Sequence, residues 1–173
     1  GTGSTVILNA AGGGVSQTSG SITTNALALR GSGTFTLDSD PGPGGVNNDV
    51  VTLAVGSTTA GATDGLINVA YRDINAVTIG TAGGASGLTT RGGNATVIAE
   101  NGNLTVNTAI DTRSTPGSGA TTTGGDITLT TLAGGTNIAL NANVTGDQVD
   151  FNTLGSIPTA AGVIVNATVN TAN

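Results

Sequence analysis

Short apolar side chains alternate with small polar ones along almost the whole of this chain. The pairs are Val6/Leu8, Leu27/Leu29, Phe35/Leu37, Leu53/Val55, Ile67/Val69, Val77/Ile79, Leu104/Val106, Ile127/Leu129, Ile138/Leu140, Val149/Phe151 and Val163/Val165. A two-residue period puts every second side chain on one face of an extended strand, so each pair predicts a half-buried β-strand and none predicts a helix. Glycines punctuate the pattern at Gly12 to Gly14, Gly31, Gly33, Gly42 to Gly45, Gly83/Gly84, Gly92/Gly93, Gly124/Gly125 and Gly134/Gly135. They supply the turns between strands. The intervening residues are mostly Thr, Asn and Ser, as in Asp126-Ile127-Thr128-Leu129-Thr130, and are expected to face outward.

Two all-β architectures compete for such a pattern. A β-sandwich must fill a core roughly 10 Å thick, which calls for large side chains and aromatics. This chain has two Phe, one Tyr and no Trp. A parallel β-solenoid encloses a narrower core, stacks like residues over like, and satisfies each coil's backbone through its neighbours. Val, Ile, Leu, Ala and Thr suffice there, so the expected fold is a right-handed parallel β-helix, with the β-sandwich as the alternative. Short strand separations, as between Leu27/Leu29 and Phe35/Leu37, mark tight corners within a coil. Longer ones, at 40–48 and 113–125, mark loops that leave the body. At roughly 20 to 30 residues per coil, residues 1–173 make a single solenoid segment of roughly six or seven coils and about 30 Å in length.

Composition narrows the function. The chain is 36% hydrophobic with only 8% charged residues, so it has the means to fold rather than stay disordered. Its apolar runs are short, and none reaches the roughly 18 residues of a spanning helix. All four basic residues are Arg (Arg30, Arg72, Arg91, Arg113), against a formal charge of -6. Such a surface repels a polyanion, so nucleic acid is not an expected partner. With no Cys, disulfide staples and thiolate metal ligands are excluded.

The stretches ALALRGSGTFTLDS (26–39), NNDVVTLAV (47–55), DINAVTIGT (73–81), GLTTRGGNATVIAENGNLTVNTAID (87–111) and GGDITLTT (124–131) resemble the β-strand repeats of filamentous-haemagglutinin-like proteins, large secreted bacterial adhesins. The resemblance covers most of 20–153 and implies a right-handed β-helix, export across the outer membrane, a place on the cell surface, and attachment or matrix roles with host or matrix glycans as partners. The family's exported N-terminal domain with its NPNL-type motifs has no counterpart here. The resemblance therefore implies a shaft segment and carries over no functional residue.

Candidate sites are few. β-Helix lyases and hydrolases need an acid and a base within a few ångströms, usually Asp with Arg, Lys or His. There is no His or Lys, and Glu100 is the only Glu. Asp38, Asp40 and Asp49 flank the loop 41–48, where carboxylates and carbonyls could gather around a weakly held Ca²⁺. The loop lacks the Gly-Gly-x-Gly-x-Asp repeat of calcium-binding β-rolls, and a turn role is the stronger reading. Asn-x-Thr sequons begin at Asn94, Asn103, Asn143 and Asn166; three of them sit at or next to the expected strands, where stacking and hydrogen bonding already account for Asn. Thr34/Thr36 and Thr128/Thr130 are too few for an ice-binding ladder. No catalytic, cofactor or metal residue is assigned, and the chain is expected not to be an enzyme.

Three function classes follow. A shaft module of a surface adhesin comes first, a self-assembling filament or surface-layer subunit second, and a carbohydrate-active β-helix enzyme last, on fold analogy alone. The strands Thr5 to Ala10 and Gly162 to Val169 carry neither Lys nor Pro to block edge pairing, so the expected partners are further coils or identical subunits, end to end.

Overall fold

The computed structural model describes residues 3–39, 47–56, 64–116, 123–153 and 162–171. Regular structure among them is all β, in the order β1 (Thr5–Ser16), β2 (Thr23–Leu37), β3 (Asp49–Val55), β4 (Ile67–Asp73), β5 (Val77–Ile79), β6 (Thr81–Ala82), β7 (Ala85–Ser86), β8 (Leu88–Thr89), β9 (Ala95–Ala99), β10 (Leu104–Val106), β11 (Ile110–Asp111), β12 (Ile127–Thr131), β13 (Ile138–Leu140), β14 (Val144–Gly146), β15 (Val149–Thr153), β16 (Val163–Val165) and β17 (Val169–Thr171). All the alternating pairs named above lie within these strands.

The chain winds right-handedly around one axis, and its sheet closes nearly into a barrel. Face I stacks the first halves of β1 and β2 on β3, β5, β10, β13 and β16. Face II continues from the end of β3 through β8, β11, β14 and β17. Face III stacks the second halves of β1 and β2 on β4, β9, β12 and β15. Every pairing on the three faces is parallel. Leu27/Leu29 and Phe35/Leu37, which a sandwich would fold into a hairpin, lie on the one strand β2 and belong to successive faces. The β-sandwich alternative is thereby excluded.

In-register stacking turns the sequence alternation into continuous apolar columns. One runs Val6, Leu27, Leu53, Ile79, Val106, Leu140, Val165. A second runs Leu8, Leu29, Val55, Leu88, Ile110, Val144, Val169. The chain's three aromatics all fall on face III: Phe35 stacks on Val69, and the column Leu37, Tyr71, Val97, Leu129, Phe151 holds the other two. Most of these side chains are completely buried. Aliphatic layers spaced at a strand separation fill such a tube without large rings.

Two corners depend on glycine. In β2 the chain bends through Gly31 and Gly33, at φ +94 and +116, and a Cβ on Gly31 would lie 1.9 Å from the Ala10 carbonyl oxygen. At the corner from face II to face III, a Cβ on Gly93 would lie 2.0 Å from the Ile67 oxygen. Coils approach there more closely than any side chain permits.

The expectation that Thr faces outward fails at Thr24, Thr90, Thr112, Thr130 and Thr131, which are buried. Thr90 and Thr112 turn in at the corners because each hydroxyl donates to a glycine carbonyl, of Gly93 and Gly125, at 2.6 Å. A second difference is the antiparallel pair β6–β7, which leaves the coil between faces I and II. It folds over the outside of face I, where Ala82 and Ala85 form a small separate cluster with Ala26, Ala28 and Ala54. Alanine in place of threonine on these outward positions lets the hairpin seat closely. At its tip a Cβ on Gly83 would meet Ala28 and Ile7 at 2.8 Å.

Candidate functional site

The sequence singled out Asp38, Asp40 and Asp49. Asp40 lies outside the described residues. Asp49 Oδ1 accepts from Asn75 Nδ2 at 3.2 Å, and Asp38 is half-buried at the end of face III. Among the described residues no three acidic, His or Cys side chains are placed to hold a metal ion.

The main polar cluster lies elsewhere, at the corner where face III returns to face I. Asp73 follows Ile67, Val69 and Tyr71 at two-residue steps on β4, so the register that buries those apolar side chains carries its carboxylate inward as well. Its Oδ2 accepts from the Tyr71 hydroxyl at 2.6 Å and from Val50 N at 2.8 Å, and its Oδ1 from Asn75 N at 2.9 Å. Burial pushes the Asp73 carboxyl above the usual carboxylate range, against the hydrogen bonds from Tyr71, Asn75 and Val50 that hold it down. Burial, and then the adjacent Asp73 carboxylate, push the Tyr71 phenol far above its ordinary value.

Beside this pair, Asn48 ties three coils together. Its Oδ1 accepts from Gln17 Nε2 and Ile22 N, and its Nδ2 donates to Gln17 Oε1, Leu37 O and Arg72 O. At the rim, Glu100 pairs with Arg72 at 2.5 Å and accepts from Asn47 Nδ2. Both residues of the Tyr71–Asp73 pair are wholly shielded from water. The cluster is a closed plug that satisfies a corner's backbone, and its carboxylate is turned away from any ligand in solvent.

Asparagines occupy other corners in ladders. Asn94 N donates to Asn68 Oδ1 at 3.0 Å, and Asn94 Oδ1 accepts from Asp126 N at 2.9 Å. Asn103 Oδ1 accepts from Asn137 N, and Asn137 Oδ1 from Gly162 N. Asn143 Oδ1 accepts from Thr168 N. In a third ladder Asn141 Nδ2 donates to Asn107 Oδ1 at 2.9 Å, and Asn166 Nδ2 to Asn141 Oδ1 at 3.1 Å. All four sequon asparagines are thus stacking residues. Their irregular spacing, 26 residues on one step and 34 on another, hides the ladders from a periodicity search.

Two surface features remain. An open groove of about 520 Å³ is lined by 9–12, 30–32 and Asp64. Asp64 Oδ1 accepts from Gly31 N at 3.0 Å, so the carboxylate serves the bend of β2. The other feature is the edge made by β15, β16 and β17, each paired on one side only among the described residues. There the inward columns come to the surface: Val163 is 38%, Val165 52% and Val169 36% exposed, while Leu140 and Val144, one coil earlier, are fully buried. No described helix is long and apolar enough to cross a membrane.

Comparisons of the chain with models of known protein families, with characterised proteins and with solved structures found no match.

Proposed function

We propose that the chain is a structural shaft module of a bacterial surface adhesin or extracellular filament, a spacer that carries no chemistry of its own. The observation that carries this reading is the pair of apolar columns that pass through every coil. A stack of this kind transmits length and stiffness by repetition, since each coil contacts only its neighbours. Its titratable cluster is spent on a corner, and its asparagines on ladders. The likeness of 26–39, 47–55, 73–81, 87–111 and 124–131 to filamentous-haemagglutinin repeats supports export and a place at the cell surface.

Antibody raised against the folded chain and applied to intact producing cells tests the proposal. Label along fibrous material outside the outer membrane is the expected result. Label found only after cells are broken would overturn it.

A further inference from the structure

Stacking uses one end of the side-chain amide at three of the sequon asparagines and leaves the other end unspent. Asn94, Asn103 and Asn143 accept through Oδ1 from the main-chain N–H of Asp126, Asn137 and Thr168 in the next coil, at 2.9, 2.8 and 3.2 Å. No described residue accepts a hydrogen bond from their Nδ2, and all three asparagines are exposed. The two-residue period places the rest of each motif. The middle residue, Ala95, Leu104 or Val144, is completely buried, and Thr96, Thr105 or Thr145 follows on the outer side, half-buried. Each motif opens a different face: Asn94 directly precedes β9 on face III, Asn103 precedes β10 on face I, and Asn143 precedes β14 on face II. The three asparagines therefore stand at the three corners of the coil. Asn166 is different. Its Nδ2 donates to Asn141 Oδ1 at 3.1 Å, so a group added to that nitrogen competes with the ladder.

We infer that Asn94, Asn103 and Asn143 are sites of N-linked glycosylation and that Asn166 is not. An Asn-x-Thr motif is the acceptor of transferases that use a sugar activated by phosphate at C1. In the transfer the Nδ2–C1 bond forms as the C1–O bond breaks, the phosphate leaves with the electron pair, and a base of the transferase takes one Nδ2 proton. Oδ1 is untouched, so the product keeps every ladder bond that these asparagines make. Sugars at the corners add bulk and hydration to a chain with only 8% charged residues, and they cover none of the stacked columns.

The test is peptide mapping of the full chain from producing cells, by mass spectrometry with electron-transfer fragmentation, which keeps sugars on their residues. Mass increments of whole sugar residues on Asn94, Asn103 and Asn143, with Asn166 bare, are expected. The chain has no Lys, so sugars that react spontaneously with amines find no side chain to label. Thr96→Ala should remove the increment at Asn94 and leave the other two, whereas Thr96→Ser, which keeps the hydroxyl, should retain it. Sugar already present on chain inside the cell identifies a nucleotide-linked donor, and sugar on exported chain alone a lipid-linked one; both support the assignment. Bare asparagines at all three positions overturn it, as does equal occupancy at Asn166 or an increment at Asn94 that survives Thr96→Ala. None of these outcomes moves the surface-labelling result.

Discussion

Raising the pH should destabilise this protein through one side chain. Tyr71 is completely buried and its hydroxyl donates to a carboxylate 2.6 Å away. Ionising it in the folded state would put two anions side by side in an apolar tube, so the phenol stays protonated in the coil and titrates only in the unfolded chain, near 10.0. The folded value lies above the unfolded one, so stability is intact below pH 10 and falls as pH rises beyond it. The slope is one proton, roughly 1.4 kcal/mol per pH unit. Two units cost roughly 3 kcal/mol, a large share of the roughly 5–15 kcal/mol that holds a domain folded. The chain has no His, Lys or Cys, and Tyr71 is its only Tyr, so the slope is assigned to this phenol. Urea midpoints by circular dichroism should be level up to pH 10 and then decline, with the phenolate absorbance appearing only on unfolding. Tyr71→Phe should cost about 1–3 kcal/mol at neutral pH, by removing one partner of Asp73, and abolish the alkaline slope. A phenolate band near pH 10 in folded protein, or the same slope in the Phe variant, would refute the reasoning.

Leu129→Asp places a carboxylate between Val97 and Phe151 and should lower stability by several kcal/mol. Thr128→Asp, one residue away on the outer side next to Asp150, should cost less than about 1 kcal/mol; equal thermal shifts would mean that the register is wrong. Gly93→Ala drives a methyl into the Ile67 carbonyl and should cost more than about 3 kcal/mol, whereas Gly13→Ala, which meets nothing within 4 Å, should stay within about 0.5 kcal/mol, both read from chemical denaturation. Asp73 contributes a slope of its own at acid pH. Its folded value is raised, so the native state holds a proton that the unfolded chain has lost, and stability declines as pH climbs from the ordinary carboxylate range to the raised one; Asp73→Asn should remove that decline. The purified chain should release no reducing or unsaturated sugar from polysaccharides, with or without calcium. Turnover lost on replacing Asp38, Asp40 or Asp49 would contradict the spacer reading.

Faces I and III were legible in the sequence where their strands repeat an apolar residue at two-residue steps, as Val77/Ile79 and Ile127/Leu129 do; β9, built on Ala95, Val97 and Ala99, was not among the pairs. Face II was not, because β8, β11, β14 and β17 each bring one main inward anchor, Leu88, Ile110, Val144 or Val169, and a single residue has no period. The β6–β7 hairpin escaped notice because Ala82 and Ala85 look like spacers until Ala26, Ala28 and Ala54 are seen beneath them. The polar plug did leave a signal. Extending Ile67/Val69 through Tyr71 to Asp73 puts a carboxylate on the inward register, and an inward acid requires donors. Its partners Gln17, Asn48 and Val50 come from other coils, and only the winding brings them together.

The stacking itself is measured most directly by distances along one outward column. Thr105, Ala139 and Ile164 follow one another on face I, on β10, β13 and β16. Nitroxide pairs at Thr105/Ala139 and Thr105/Ile164 should give backbone separations that grow by roughly 5 Å per coil, with the three positions in line. Distances that fail to increase from the first pair to the second, or a Thr105/Ala139 separation of two or more strand spacings, would contradict a parallel solenoid.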